Sequence, residues 1–526
     1  MTKTTAKRPT RPRALAVLAL AGTATAVWAG ASGTGVPAAQ AAPAAARTDT
    51  TCPRPPGLQT TCGTIRVPLD RAAPASGETT VRYMLVRHRG TAPTVGTVAL
   101  NDGGPGNATI VGLAQRPQLL LGVFGKILDT HDMLLMDPRG TGGSDAQHCE
   151  DLSIDAIPAT RSGLLDAVRG CGRELGRRSR HYTSAATADD LDAVRAHLGI
   201  GRLDLLGESY GSYLMTVYAQ RHPGHVRSIV LSSAYPLEFD MWARPNAQAT
   251  RRAIKVLCER SSGRCAGERV LADLGTLAGR LRARPVPYEG AGAERVLDDT
   301  ALAAITYDAA GDRELMGRLP GIVRASLKGD YGPLTEVAAS RAQPALSDRL
   351  PQRRVGRRSG QADEQFYGLT TWASVICNDY PTLWDRRAPV SARTRQYERG
   401  RERLAPGALA PFTARAWTNG IYDRGNFCLR WPDRNGPVQP TDRPLPDVPV
   451  LVLSGELDAN TPTAEGRAAA RQYPRARVIE IPNTGHVAEF DEQANPCVME
   501  LQSEFFRTGR ATGTGCLAEI PPIPVD

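Results

Sequence analysis

The chain has 526 residues, 41% of them hydrophobic, with a formal net charge of +10 and ten cysteines. That apolar fraction is enough for a sizeable buried core. No block of Lys and Arg interleaved with aromatics occurs, which argues against a nucleic-acid partner.

The chain opens on charge. Lys3, Lys7, Arg8, Arg11 and Arg13 form a basic stretch, an apolar run from Ala14 to about Trp28 follows, and Ala39-Gln40-Ala41 offers a small-x-small cleavage site. The run is too short and too rich in Ala and Gly for a good membrane span. These parts in this order predict a signal peptide over residues 1–41 and a secreted, extracellular product without stable membrane insertion. An uncleaved anchor is the competing reading. No adjacent Arg pair precedes the run, which favours general export over the twin-arginine route. Cleavage after Ala41 removes five basic and no acidic residues, so the charge falls from +10 to +5.

Export to an oxidising compartment makes up to five disulfides the expectation. The cysteines are Cys52, Cys62, Cys149, Cys171, Cys258, Cys265, Cys377, Cys428, Cys497 and Cys516. Pairing of sequence neighbours is expected, although spacing alone does not set connectivity. No CxxC occurs and no His lies at ligand spacing to a Cys pair, so no metal site is expected.

Thr64 to Leu69 and Thr79 to Arg87 alternate apolar and polar residues and predict half-buried strands. Thr97 to Asn101, Met133 to Met136, Leu203 to Leu206 and Ile229 to Leu231 are short apolar runs; Val450 to Leu453 and Val478 to Ile481 follow much later. Such runs are the mark of parallel strands covered on both faces. Helical spacing lies between them at Ala188 to Leu198, with Thr187 as N-cap, and at Tyr210 to Arg221, Thr463 to Tyr473 and Glu492 to Phe506. The alternation predicts a doubly wound α/β fold, a mostly parallel central sheet with helices on both faces. Between Tyr235 and about Pro446 the strand rhythm stops. Arg251 to Arg260 and Pro320 to Leu327 read as helices there, the second with its proline in the first turn, where it is tolerated. The expected organisation is a first core part over 42–236, a mainly helical cap insertion over 237–445, and a second core part over 446–526.

Gly207-Glu208-Ser209-Tyr210-Gly211 matches GxSxG between an apolar run and a helix, where a nucleophile elbow belongs. Ser209 is the candidate nucleophile. The α/β-hydrolase order that goes with such an elbow is serine, acid, histidine along the chain. Only His222, His225 and His486 follow Ser209. The first two lie at the end of the helix after the elbow, with no serviceable acid between. His486 follows a late strand and is the candidate base. Asp458, just after Val450 to Ser454, is the candidate acid, with Glu456 its rival. The oxyanion hole should use the N–H of Tyr210 and one from Asp102-Gly103-Gly104-Pro105-Gly106, with Gly104 preferred.

The strings GGPG, DPRGTGGS (Asp137 to Ser144), GESYG, GELDANTP and NTGH together resemble the prolyl-iminopeptidase-type family of α/β-hydrolases. Within it the sequence looks like the secreted tripeptidyl aminopeptidases of filamentous actinobacteria, from about Cys52 to Cys516. The resemblance implies a serine exopeptidase that releases short peptides, tripeptides for this branch, from free N-termini of polypeptides. It implies no metal or organic cofactor; the expected partners are peptide or protein substrates, and a monomer is the default. Many members have His where this chain has Asp102. A free α-ammonium calls for a carboxylate, and Asp379 and Glu208 are the candidates. A secreted carboxylesterase or lipase on the same scaffold is the alternative, because one fold hosts many chemistries.

Overall fold

In the computed structural model of the chain, which describes residues 52–153, 160–290, 293–342, 367–434, 436 and 439–526, the apolar runs form one eight-stranded sheet. The expected signal peptide, residues 1–41, lies outside the described residues. In chain order the strands are β1 (Thr60–Pro68), β2 (Glu78–Val86), β3 (Gly96–Asn101), β4 (His131–Met136), β5 (Leu203–Glu208) and β6 (Val226–Ser232). A separate antiparallel pair follows, β7 (Val286–Gly290) and β8 (Ala293–Leu297), and then β9 (Val450–Gly455) and β10 (Ala476–Ile481). The sheet order is β1-β2-β4-β3-β5-β6-β9-β10. Every neighbouring pair from β4 to β10 is parallel, whereas β2 runs antiparallel to both β1 and β4.

Continuous apolar strands bury both faces because successive side chains point to opposite sides. Along β9, Val450 and Val452 join one hydrophobic cluster while Leu451 and Leu453 join the other. The helices Arg161–Leu175, Ser184–His197 and Tyr210–Arg221 feed the first cluster through Leu164, Val168, Leu191 and Val217. Helices Pro117–Phe124 and Asn495–Thr508 feed the second through Leu120, Phe124, Val498 and Phe505. The α/β-hydrolase architecture read from the sequence is the one observed.

Local details differ. Thr183, not Thr187, caps the helix Ser184–His197, because its Oγ1 accepts the Ala186 N–H at 3.1 Å. Pro320 lies in the interior of the helix Arg313–Leu327, not in its first turn, because Asp312 caps that helix by accepting the Leu315 N–H at 3.0 Å.

The insertion between β6 and β9 is mainly helical but carries the β7–β8 pair. It also divides. The helices from Arg244–Glu259 to Gly332–Ala342 contribute Ile254, Leu274, Leu302, Leu319 and Leu334 to a third cluster of their own. The later helix Leu369–Asp379 returns to the sheet's helical layer, where Trp372 and Ile376 pack in the first cluster. Residues beyond the last long helix cross the other way, burying Ile523 and Val525 in the cap cluster.

All ten cysteines pair with sequence neighbours, as Cys52–Cys62, Cys149–Cys171, Cys258–Cys265, Cys377–Cys428 and Cys497–Cys516. No helix among the described residues is long and apolar enough to cross a membrane.

Register positions the site. Asn101 lies opposite Gly207, Glu208 and Leu453 both lie opposite Ser232, and Gly455 lies opposite Ile481. These strands end at one level, so the loops after β3, β5, β9 and β10 gather at one sheet edge, the usual place for a site in such sheets.

Candidate active site

Ser209 sits between β5 and the helix Tyr210–Arg221 with φ 54° and ψ −122°. A non-glycine residue held at positive φ is strained, and the surrounding chain must hold it there. Its N–H donates to Ser232 O at 2.9 Å. The flanking glycines are needed for space: a Cβ on Gly207 would lie 2.3 Å from Gly211 O, and one on Gly211 would lie 2.1 Å from Asn101 O.

His486 arrives from the loop after β10. Thr484 Oγ1 ties that loop back to Ile481 O at 2.9 Å, and the Val487 N–H donates to Ser233 Oγ at 2.7 Å. The ring then spans two partners, with Nε2 2.9 Å from Ser209 Oγ and Nδ1 3.0 Å from Asp458 Oδ2. Asp458 is buried. Its Oδ1 accepts the N–H groups of Asn460 at 2.8 Å and Thr461 at 3.0 Å, and Oδ2 also accepts Thr461 Oγ1 at 2.7 Å. Burial raises its pKa, but the His486 ring and the Thr461 donors outweigh that and hold it below the usual carboxylate range.

Two family models match the chain at these elements. Residues 102–252, which include the elbow, match an alpha/beta hydrolase fold model, and residues 412–516, which include Asp458 and His486, match a TAP-like protein model. The chain has the α/β-hydrolase fold. The hydrolase is 26% identical over 489 residues to the tripeptidyl aminopeptidase of Streptomyces lividans, covering 88% of this chain and 84% of that one. It is 25% identical over 491 residues to the serine protease Hip1 of Mycobacterium tuberculosis, covering 86% of each. A carboxylesterase B of the same species is 27% identical over 482 residues, covering 85% of this chain and 84% of the relative. Fold and relatives together make the chain a serine hydrolase.

In this hydrolase the rival acid is engaged elsewhere. Glu456 accepts Arg260 on both oxygens, at 2.5 and 2.9 Å, and takes the Asn483 N–H at 3.1 Å. The other two histidines follow the C-terminal end of the elbow helix. His222 Nε2 lies 2.9 Å from Asp189 Oδ1, and His225 Nδ1 lies 2.6 Å from Asp192 Oδ1. Twelve residues of helix separate them from Ser209, about 18 Å of rise. Asp192, His222 and His225 have the atoms to hold a metal ion, but Arg195 Nε already donates to Asp192 Oδ1 at 2.7 Å.

The loop after β3 lies against the elbow: a Cβ on Gly103 would come 3.1 Å from Ser209 Cβ and 3.3 Å from Tyr210 N. The Gly103 N–H is taken by Asn101 Oδ1 at 3.2 Å. The Gly104 N–H is left without an intramolecular acceptor among the described residues, and the Tyr210 N–H opens a helix, where no intrahelical acceptor exists. Asp102 beside them accepts Thr109 Oγ1 at 2.6 Å, and burial raises its carboxyl pKa while that bond opposes the rise.

Ser209, His486, Asp102 and Gly104 open onto a cavity of about 1940 Å³ roofed by the cap. The two carboxylates expected to meet a substrate N-terminus do not line it. Asp379 is buried, its Oδ2 accepting the Ser184 N–H at 2.6 Å, so it caps the first turn of a core helix. Burial pushes it up to about 6, against the pull of that bond. Glu208 lies fully buried beneath the elbow with neither oxygen hydrogen-bonded. Burial, followed by the nearby Glu489 and Asp102 carboxyls, pushes it well above the usual range and favours its neutral form. Among the acids that do line the cavity, Glu294, Asp298 and Asp423 come from the insertion.

The residues that hold the site together carry no signal in the sequence. Thr461 braces the acid, and Asn246 on a cap helix donates to Ala459 O at 2.8 Å and Asn460 O at 2.9 Å in the same loop. Neither stands at a spacing that marks it.

Proposed function

We propose that the enzyme is a secreted serine exopeptidase that releases short peptides, tripeptides above all, from free N-termini of polypeptides. The observation that carries the reading is the continuous chain Ser209 Oγ, His486 Nε2, His486 Nδ1, Asp458 Oδ2, with links of 2.9 and 3.0 Å. Ser209 Oγ attacks the scissile carbonyl carbon while His486 Nε2 takes its proton. Asp458 keeps the other ring nitrogen protonated and stabilises the imidazolium. The carbonyl oxygen, now negative, is received by the N–H groups of Gly104 and Tyr210. His486 returns the proton to the leaving amine as the C–N bond breaks. Water, deprotonated by His486, then cleaves the acyl-enzyme.

Three features support a peptide substrate with a free N-terminus. The named relatives include a tripeptidyl aminopeptidase and a serine protease. The cavity exceeds the usual small-ligand range of about 300–1,000 Å³, and three extended residues span only about 10 Å. Its cap-borne acids Glu294, Asp298 and Asp423 supply negative charge for an α-ammonium. Five disulfides and the N-terminal signal pattern favour an exported enzyme.

The test is an assay of the mature enzyme on chromogenic di- and tripeptides with free and acetylated N-termini, beside short p-nitrophenyl esters. Cleavage of free tripeptides, lost on acetylation, is expected. Ester turnover without peptide turnover would replace this reading with the carboxylesterase one, which the likeness to carboxylesterase B keeps in play. Ser209→Ala should abolish labelling by a fluorophosphonate probe; persistent labelling places the nucleophile elsewhere.

A further inference from the structure

We propose that Arg313, a cap residue, is a positioning residue for His486. The proposal rests on the reading of Ser209, His486 and Asp458 as a triad.

Arg313 opens the cap helix Arg313–Leu327 and faces the catalytic cavity. Its Nη1 donates to Asn483 O at 3.0 Å and lies 3.5 Å from Asp491 Oδ2. These two residues bracket His486, one on each side along the chain. Its Nη2 donates to Pro521 O at 2.8 Å and Pro522 O at 3.1 Å, in the tail that continues into the cap cluster. One planar guanidinium thus joins the cap, both arms of the histidine loop and the tail. A fork of fixed donors suits such a junction, and an ammonium does not reproduce it.

The other polar groups of Asn483 are also engaged. Its N–H meets Glu456 Oε2 at 3.1 Å, its Oδ1 accepts Arg260 Nη1 at 2.6 Å, and its Nδ2 donates to Ile520 O at 2.8 Å. The backbone carbonyl is therefore the remaining handle, and Arg313 takes it. The cap turn before Arg313 presses on the same loop. A Cβ on Gly485 would lie 3.0 Å from Ala310 O, and one on Gly311 would lie 3.4 Å from His486 Cβ. Ser233 fixes the loop from the core side through the Val487 N–H. Arg313 fixes it from the cap side, and His486 stands between the two anchors.

The experiment compares Arg313→Gln, Arg313→Lys and Asp491→Asn with the full wild-type chain. It reads kcat and KM on a tripeptide substrate and the labelling rate with a small fluorophosphonate across pH. A small probe needs His486 but not the cap's peptide contacts. Misplacing a reacting group by an ångström costs about a hundredfold. Arg313→Gln should lower kcat and the labelling rate together by about ten- to a hundredfold, with KM within about twofold. Arg313→Lys and Asp491→Asn should fall between it and wild type. If Arg313→Gln fails to fold, those two carry the test. Wild-type labelling with a raised KM would make Arg313 only a wall of the cavity. A lower melting temperature with unchanged kcat would make it only a structural tie. Either result overturns the proposal, whereas failure of the triad reading shows separately, as labelling that survives Ser209→Ala.

Discussion

Asp458 Oδ2 lies 3.0 Å from His486 Nδ1, while Glu456, two residues earlier, faces away onto Arg260. The two carboxylates therefore predict opposite outcomes. Asp458→Asn should lower kcat by about 10³- to 10⁴-fold with little change in KM, because the amide no longer holds the ring tautomer or the imidazolium charge. Glu456→Gln should stay within a few-fold of wild type. Steady-state kinetics on one peptide decides it, and the reverse ranking would transfer the role to Glu456.

Asp379 predicts a pH effect on stability. Its folded pKa is raised to about 6, while an unfolded Asp titrates near 3.9. Between these values the folded state binds the proton more tightly. Stability should thus fall as pH rises from about 4 through 6 and stay lowered above it. Asp379→Asn keeps an acceptor for the Ser184 N–H and cannot ionise. Its unfolding free energy, from denaturant titration, should match wild type near pH 4 and exceed it at pH 7.5 by up to about 3 kcal/mol. KM for free-amino peptides should not change; a rise would return Asp379 to substrate binding.

Disulfide loops of different length should differ in worth. Cys377–Cys428 closes 51 residues and Cys258–Cys265 closes 7. Chain entropy alone gives about 4 kcal/mol for the longer and about 2 kcal/mol for the shorter. Paired Cys→Ser variants, compared by urea unfolding, should show the larger loss for Cys377 and Cys428. Equal losses would mean that chain entropy does not dominate here.

Gly103 separates local strain from damage to the site. It has φ +92°, and a Cβ there would sit 2.7 Å from Glu208 O. Gly57 also has positive φ, at +76°, but nothing lies within 4 Å of its Cβ position. Gly57→Ala should cost about 1–2 kcal/mol of stability and leave kcat alone. Gly103→Ala should push the loop off the elbow and lower kcat by about a hundredfold or more. Activity and melting temperature, measured on both variants, check the contrast.

The sequence by itself determined the α/β-hydrolase fold, the Gly-flanked turn at Ser209 and the chain order of Ser209, Asp458 and His486. These are legible because they depend on short-range rules. Apolar runs of strand length bury both faces, a tight turn excludes side chains at Gly207 and Gly211, and Asp458 and His486 directly follow strand ends. The tertiary structure alone decided which carboxylate meets which partner. Arg260 claims Glu456 from 196 residues away, and Ser184 claims Asp379 from 195. Burial without a partner removes Glu208 from the cavity. The same holds for Arg313, whose carbonyl acceptors come from two distant segments. Pairings of this kind leave no periodicity or spacing in a single sequence, because a hydrogen bond depends on where folding brings two atoms and not on how far apart they lie along the chain.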